Sequence, residues 1–390
     1  MKKIDWLIVH EEPLAGYTLI NILRVLIQNR FRMHPKYWLR FLYSLVVSFA
    51  TAPLRIIEKI VYTRKIKTTE VKVDPLFVIG HYRTGSTYLI KLLSLDNSKG
   101  YVSNMEAYGP NFFLAFPKIT KWILDVSLPE KRPMDNVLLG STEPTEEEYS
   151  IGSVDKYAYF NGFIFPRNFE LYSRYNSFDE CPPKDLKKWK KRYQYFVKKM
   201  TYKYKGKMMY FKNPANTYRI PALLDMYPNA KFIHIYRNPY ELFASIQKWF
   251  RTLLPIYALQ TWNEDEIQTG LIKNYREMYH KLHQDRKLIP KGNIIDVNYE
   301  ELIKEPVQTI EKIYTELGID YFDEYKESIQ KYADSQVDFQ VNRHIITDEI
   351  IKIVNEHWNF MLEKYGYEKL EPKIKEEETI VIPVREQETL

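Results

Sequence analysis

The sequence predicts an α/β protein, a P-loop-like parallel sheet flanked by helices, with a helical segment added at its amino terminus. Three observations carry this reading. The apolar run Leu76-Phe77-Val78-Ile79 ends in a glycine-bounded loop and passes into a helical pattern. A second apolar run from Lys231 to Tyr236 ends in Arg237, with Ser245 one or two turns into the helix expected after it. A third, around Ile294 to Val297, precedes the helical stretch Val307 to Leu317. Short apolar strands alternating with helices are the pattern of a parallel sheet covered on both faces.

The chain has 390 residues, 45% hydrophobic and 27% charged, which excludes a disordered, collagenous or disulfide-framed protein. This length exceeds what one core usually supports. We divide it into a helical segment over 1–70, the α/β domain over 71–370 and an acidic tail over 371–390. The lone Cys181 rules out an internal disulfide and fits a cytoplasmic location. Lys and Arg total 57 against 50 Asp and Glu, and the excess of +7 suggests an anionic partner or an anionic membrane surface. Nothing in the chain specifies an oligomeric state.

The first apolar run, Ile4 to Val9, is too short and too soon interrupted by charge for a secretory signal. Leu14 to Arg32 repeats apolar residues at helical spacing, and Trp38 to Ile60 contains an uncharged stretch of 14 residues between Arg40 and Arg55. A bilayer crossing needs about 20 apolar residues, so no span is expected. Two readings stay open: a helical hairpin packed on the domain, or helices resting at the headgroup level on the cytoplasmic face, with Arg55, Lys59, Arg64, Lys65 and Lys67 as a basic fringe.

The loop after the first strand reads Gly80-His81-Tyr82-Arg83-Thr84-Gly85-Ser86-Thr87. Strand, tight loop and helix in this order aim unpaired amides at one spot, which suits a phosphate or sulfate ester, the alternative being a plain glycine-rich turn. The spacing from Gly80 to Gly85 matches a nucleoside-triphosphate loop, but Ser86 stands where such a loop has its lysine. Arg83 is the cation available instead.

This loop resembles the 5'-phosphosulfate loop of the sulfotransferases that use 3'-phosphoadenylyl sulfate (PAPS), in the branch with an Arg-Thr-Gly-Ser-Thr motif. The resemblance implies the sulfotransferase fold, with Arg83 as loop cation, Gly85 as close-approach glycine, and Thr84, Ser86 and Thr87 around the phosphosulfate. Arg237 and Ser245 match that family's 3'-phosphate pair. Lys212-Asn213-Pro214 and the segment from Tyr299 to Pro306 are similar to further family blocks. Together the matches run from Pro75 to Ile319. The family's Arg-Lys-Gly-rich nucleotide loop is not visible, so Asn342 and Arg343 are candidates for completing the donor site.

Sulfuryl transfer needs a base for the attacking hydroxyl. Glu146-Glu147-Glu148 is the strongest acidic run, the alternative being a negatively charged first helical turn. It resembles the Pro-x-Glu-Asp-Glu-Phe block of a bacterial branch acting on small or lipid-like hydroxyls. That match implicates Glu146 and Glu148, with Glu148 slightly preferred, and His81 at the loop mouth is the rival. His234 reads as a core histidine. The twelve bases from Lys184 to Lys212 read first as a solvated basic helix, and no nucleic-acid module accompanies them. The histidines form no metal motif. The expected activity is therefore metal-free sulfuryl transfer from PAPS to a small or lipid-like hydroxyl. The alternatives are a nucleotide-dependent phosphotransferase and a non-catalytic protein of the membrane surface.

Overall fold

The computed structural model describes residues 12–132, 137–320, 323–336 and 345–372. Strand β1, Leu76–Ile79, is buried at every position because it lies at the centre of the sheet. It pairs in parallel with β3 (Met209–Lys212) on one side and β4 (Lys231–Tyr236) on the other. The edges are the two-residue β2 (Gly100–Tyr101) and β5 (Ile294–Asn298), giving the order β2-β3-β1-β4-β5, all parallel. Side-chain alternation divides the core. Phe77 and Ile79 join one apolar cluster with Phe211 and Phe232, while Leu76 and Val78 join the other with Ile233 and Ile235. Phe77 stacks on Phe211 at 5.7 Å and sits 5.6 Å from Phe232, so cross-strand aromatic contacts fix the central register.

Three helices precede the sheet: α1 (Leu19–Gln28), α2 (Trp38–Ala50) and α3 (Ala52–Thr68). The apolar stretch after Trp38 is thus two helices rather than one, broken at Thr51 with a bend of 41°. Pro53 occupies the first turn of α3, where its missing N–H costs nothing but where it cannot continue α2. No single described helix is long and apolar enough to cross a membrane. The basic run forms the helix Pro183–Lys203, which buries Trp189, Tyr193, Phe196 and Met200 against the core. Its cations reach acids of other elements: Lys190 reaches Asp225, Arg192 reaches Asp155, Lys199 reaches Glu58 and Lys203 reaches Glu106.

In this strand order the connections reverse direction around β1. The loops leaving β1, β3 and β4 therefore gather at one edge of the sheet, where open α/β sheets place ligands.

Candidate active site

The loop between β1 and helix α4 (Ser86–Leu93) is shaped by two glycines that no other residue could replace without strain. Gly80 has φ +139°, and a Cβ there would fall 2.4 Å from the Ile235 carbonyl oxygen. Gly85 has φ +91°, and a Cβ there would fall 2.1 Å from the Tyr299 ring. The Gly80 amide donates to Thr217 Oγ1 at 2.8 Å, and the Thr84 hydroxyl donates to the His81 carbonyl at 2.8 Å, tying the loop from both sides.

Arg83 adopts φ +69°, a left-handed conformation that is uncommon outside glycine. Contacts to the end of β4 and to the helix after it hold it. Its Nε donates to Ser245 Oγ at 3.1 Å, and its carbonyl accepts from Arg237 Nη1 at 3.4 Å. The end of β4, the following helix Pro239–Tyr257 and the β1 loop thus place Arg237, Ser245 and Arg83 in one cluster. Arg237 is oriented by Glu241, at 2.6 Å from Nη2, and by the Tyr299 ring, 4.5 Å from its guanidinium carbon. Its buried Nε has no hydrogen-bond partner among the described residues. A buried guanidinium donor without a partner is a costly arrangement that an anion would relieve.

The three glutamates have three environments. Glu148 and Glu147 are fully buried. Arg219 grips Glu148 with both terminal nitrogens, while Asn213 and the Tyr159 amide donate to its remaining lone pairs. Glu147 accepts from Tyr193 and Asn216, each at 2.7 Å, and burial raises its pKa. Glu146 alone is partly open, with Oε1 2.8 Å from Lys212 Nζ and Oε2 accepting from the Tyr159 hydroxyl at 3.4 Å. Lys212 ends β3, so the sheet itself sets the position of Glu146.

A cavity of about 1290 Å³ joins these groups. Arg83, Ser86, Thr87, Arg237, Ser245 and Glu146 all line it. Tyr82, Tyr149, Tyr159 and Trp249 line the wall near Glu146, and Val46, Leu124 and Leu138 line an apolar part. Desolvation holds the phenols of Tyr82, Tyr149 and Tyr159 well above their usual range, so they are neutral at physiological pH. The volume exceeds the roughly 300–1,000 Å³ of a site for one drug-sized ligand. Among the described residues no group of three or more His, Cys, Asp or Glu is placed to hold a metal.

Residues 75–324 match the sulfotransferase family. This chain belongs to it. Over 354 residues, 90% of each chain, this sulfotransferase is 30% identical to the omega-hydroxy-beta-dihydromenaquinone-9 sulfotransferase Stf3 of Mycobacterium bovis, and equally to that of Mycobacterium tuberculosis. In fold it is similar to the sulfotransferase STF9 from Mycobacterium avium, with TM-score 0.63, 19% identity, and coverage of 87% of this chain and 88% of that one. The sulfotransferase STF1 from Mycobacterium tuberculosis H37Rv gives TM-score 0.56 at 15% identity, with 88% of each chain covered.

Of the residues singled out in the sequence, this sulfotransferase brings Arg83, Gly85, Ser86, Thr87, Arg237, Ser245 and Glu146 onto one cavity. Three others fall elsewhere. Glu148 is corrected from preferred base to buried ion-pair partner, since its carboxylate oxygens are fully engaged and it has no exposed surface. His81 is buried with its ring against Tyr82 and Tyr275, off the cavity wall, and burial lowers its pKa to about 4. Thr84 is buried and turns its hydroxyl back into the loop. Asn342 and Arg343 lie outside the described residues. Sequence reasoning passed over Arg219, and it named Tyr299 only as the start of a family-like block, not for its place beneath Arg237; both are positioning residues. A charge directly before an apolar helix, and an aromatic at the end of the last strand, were the available signals.

Proposed function

We propose that this sulfotransferase moves the sulfuryl group of PAPS onto a hydroxyl of a lipid-like acceptor. The observation that carries the reading is the Arg83, Ser245 and Arg237 cluster sharing one cavity with Glu146 and an extended apolar wall. Arg83, with the amides and hydroxyls at the start of α4, takes the 5'-phosphosulfate, and Arg237 with Ser245 takes the 3'-phosphate. The acceptor oxygen attacks sulfur, the bond from sulfur to the phosphate oxygen breaks, and the hydroxyl proton passes to Glu146. The products are a sulfate ester and adenosine 3',5'-bisphosphate. Lys212 holds Glu146 in position, and Arg83 faces the charge that develops on the departing phosphate. Support for a lipid-like acceptor comes from the apolar wall and from the mycobacterial relative, whose name gives a hydroxylated menaquinone as its substrate.

Parallel incubations with sulfur-labelled PAPS and phosphorus-labelled ATP, each with a long-chain primary alcohol, test this directly. Label should pass to the alcohol from PAPS alone. Transfer from ATP, or calorimetric binding of adenosine 3',5'-bisphosphate left intact in both Arg83→Ala and Arg237→Ala, would overturn the reading.

A further inference from the structure

Helix α2 is inside out. A helix at the surface of a water-soluble domain turns apolar residues inward and polar ones outward. In α2 the buried positions are Arg40, Ser44 and Ser48, while Leu42, Val46 and Phe49 are exposed, Phe49 at 73%. The inward polar groups are satisfied: Arg40 pairs with Glu12 and donates to the Pro255 carbonyl, and Ser48 donates to the Tyr17 carbonyl at 2.6 Å. Helix α3 repeats the arrangement, burying Glu58 against Lys199 and the amides of Leu114 and Ala115 while Ile60 is 76% exposed. The helix Pro117–Ser127 adds Trp122 and Val126, both exposed.

The exposed charge on α1 to α3 has one sign, and the one acid of the helix Pro117–Ser127, the exposed Asp125, pairs with Lys121. Between residues 12 and 69 the acids are Glu12 and Glu58, both buried, so the exposed charges, among them Arg30, Arg32, Lys36, Lys59, Arg64 and Lys65, are all positive. A symmetric contact with a second copy would set these like charges against each other. An anionic bilayer complements both the apolar side chains and the cations. The apolar surface also continues inward, because Val46 and Leu138 line the cavity and are 59% and 55% exposed.

We infer that the faces of α2 and α3, with Trp122 and Val126, dock on an anionic lipid bilayer, and that the acceptor's apolar end passes from the bilayer into the cavity beside Val46 and Leu138. The second half rests on the sulfuryl-transfer reading; the docking does not.

The test is co-sedimentation of the full chain with vesicles of phosphatidylcholine alone and of equal parts phosphatidylcholine and phosphatidylglycerol. The chain should favour the anionic vesicles by at least about tenfold. The double variant Phe49→Asp/Ile60→Asp, altered outside the cavity wall, should lose about tenfold or more of that binding with an unchanged circular dichroism spectrum and melting temperature. Its KM for an alcohol embedded in vesicles should rise while turnover of a short soluble alcohol is retained. A wild-type chain left in the supernatant with both vesicles, or a variant that binds as well as wild type, overturns the docking. So does a concentration-dependent dimer, seen by sedimentation velocity, that the same substitutions abolish. Vesicle binding without transfer to any alcohol would leave docking standing and remove the proposed activity.

Discussion

Arg219 clamps Glu148 with two parallel bonds, Nη1 to Oε2 at 2.6 Å and Nη2 to Oε1 at 3.1 Å, and neither side chain is exposed. Two residues before Glu148 in the chain, Glu146 faces the cavity from a partly open position. The two carboxylates should therefore fail differently. Glu148→Leu leaves a buried guanidinium without its counter-ion and should cost roughly 3–5 kcal/mol in denaturant unfolding. Glu146→Gln should keep the fold and lower kcat by about 10²- to 10⁴-fold. A stable, inactive Glu148→Leu beside an active Glu146→Gln would reverse the assignment.

Arg237 is expected to act through charge-assisted bonds to the donor. Replacing it by alanine should weaken adenosine 3',5'-bisphosphate by roughly tenfold to a hundredfold, the equivalent of about 1.5–3 kcal/mol. Ser245→Ala removes one neutral hydroxyl and the support of Arg83 Nε, and should cost less. Isothermal titration measures both.

Gly85 and Gly206 separate backbone strain from crowding. Their φ angles are +91° and +84°, but a Cβ at Gly206 meets nothing within 4 Å, whereas at Gly85 it meets the Tyr299 ring. Alanine at either position should cost about 1–2 kcal/mol in stability from the left-handed backbone. Only Gly85→Ala should also impair donor binding, because Tyr299 must shift from beneath Arg237. Equal donor affinity in the two variants would refute this.

His81 makes stability depend on pH. Its folded pKa of about 4 lies below the usual 6.5, because burial disfavours the imidazolium. Between those values the unfolded chain binds a proton that the native chain refuses, so stability falls as pH falls from about 6.5 toward 4, by up to about 1.4 kcal/mol per pH unit. Burial of Glu147 acts in the opposite sense, since its raised pKa lets the native state hold a proton that the unfolded chain releases above its ordinary pKa. Comparing unfolding of wild type and His81→Gln from pH 7 to 4.5 isolates the histidine: the variant should show the shallower acid loss. Identical slopes would place the histidine's charge change elsewhere.

Much of the central sheet was legible because a strand buried on both faces is a continuous apolar run; Leu76–Ile79 reads so and forms β1 as expected. The spacing of Arg237 and Ser245 was legible for a related reason, since strand end and helix turn have fixed rises. The division among Glu146, Glu147 and Glu148 was not. Three identical neighbours are told apart by partners brought in from elsewhere in the chain, among them Lys212, Asn213, Asn216 and Arg219, more than sixty positions away. Strand β2 was too short to leave a pattern, with two residues. In α2 the apolar count was readable, but which side faced the protein depended on Glu12, Tyr17 and Pro255 as partners.

Arg83 and Glu146 line the same cavity. On the sulfuryl-transfer reading, donor and acceptor share this one chamber, and the group is expected to pass directly between them with no side chain carrying it. If donor and acceptor occupy this cavity together, double-reciprocal velocity plots at several acceptor concentrations should intersect rather than run parallel.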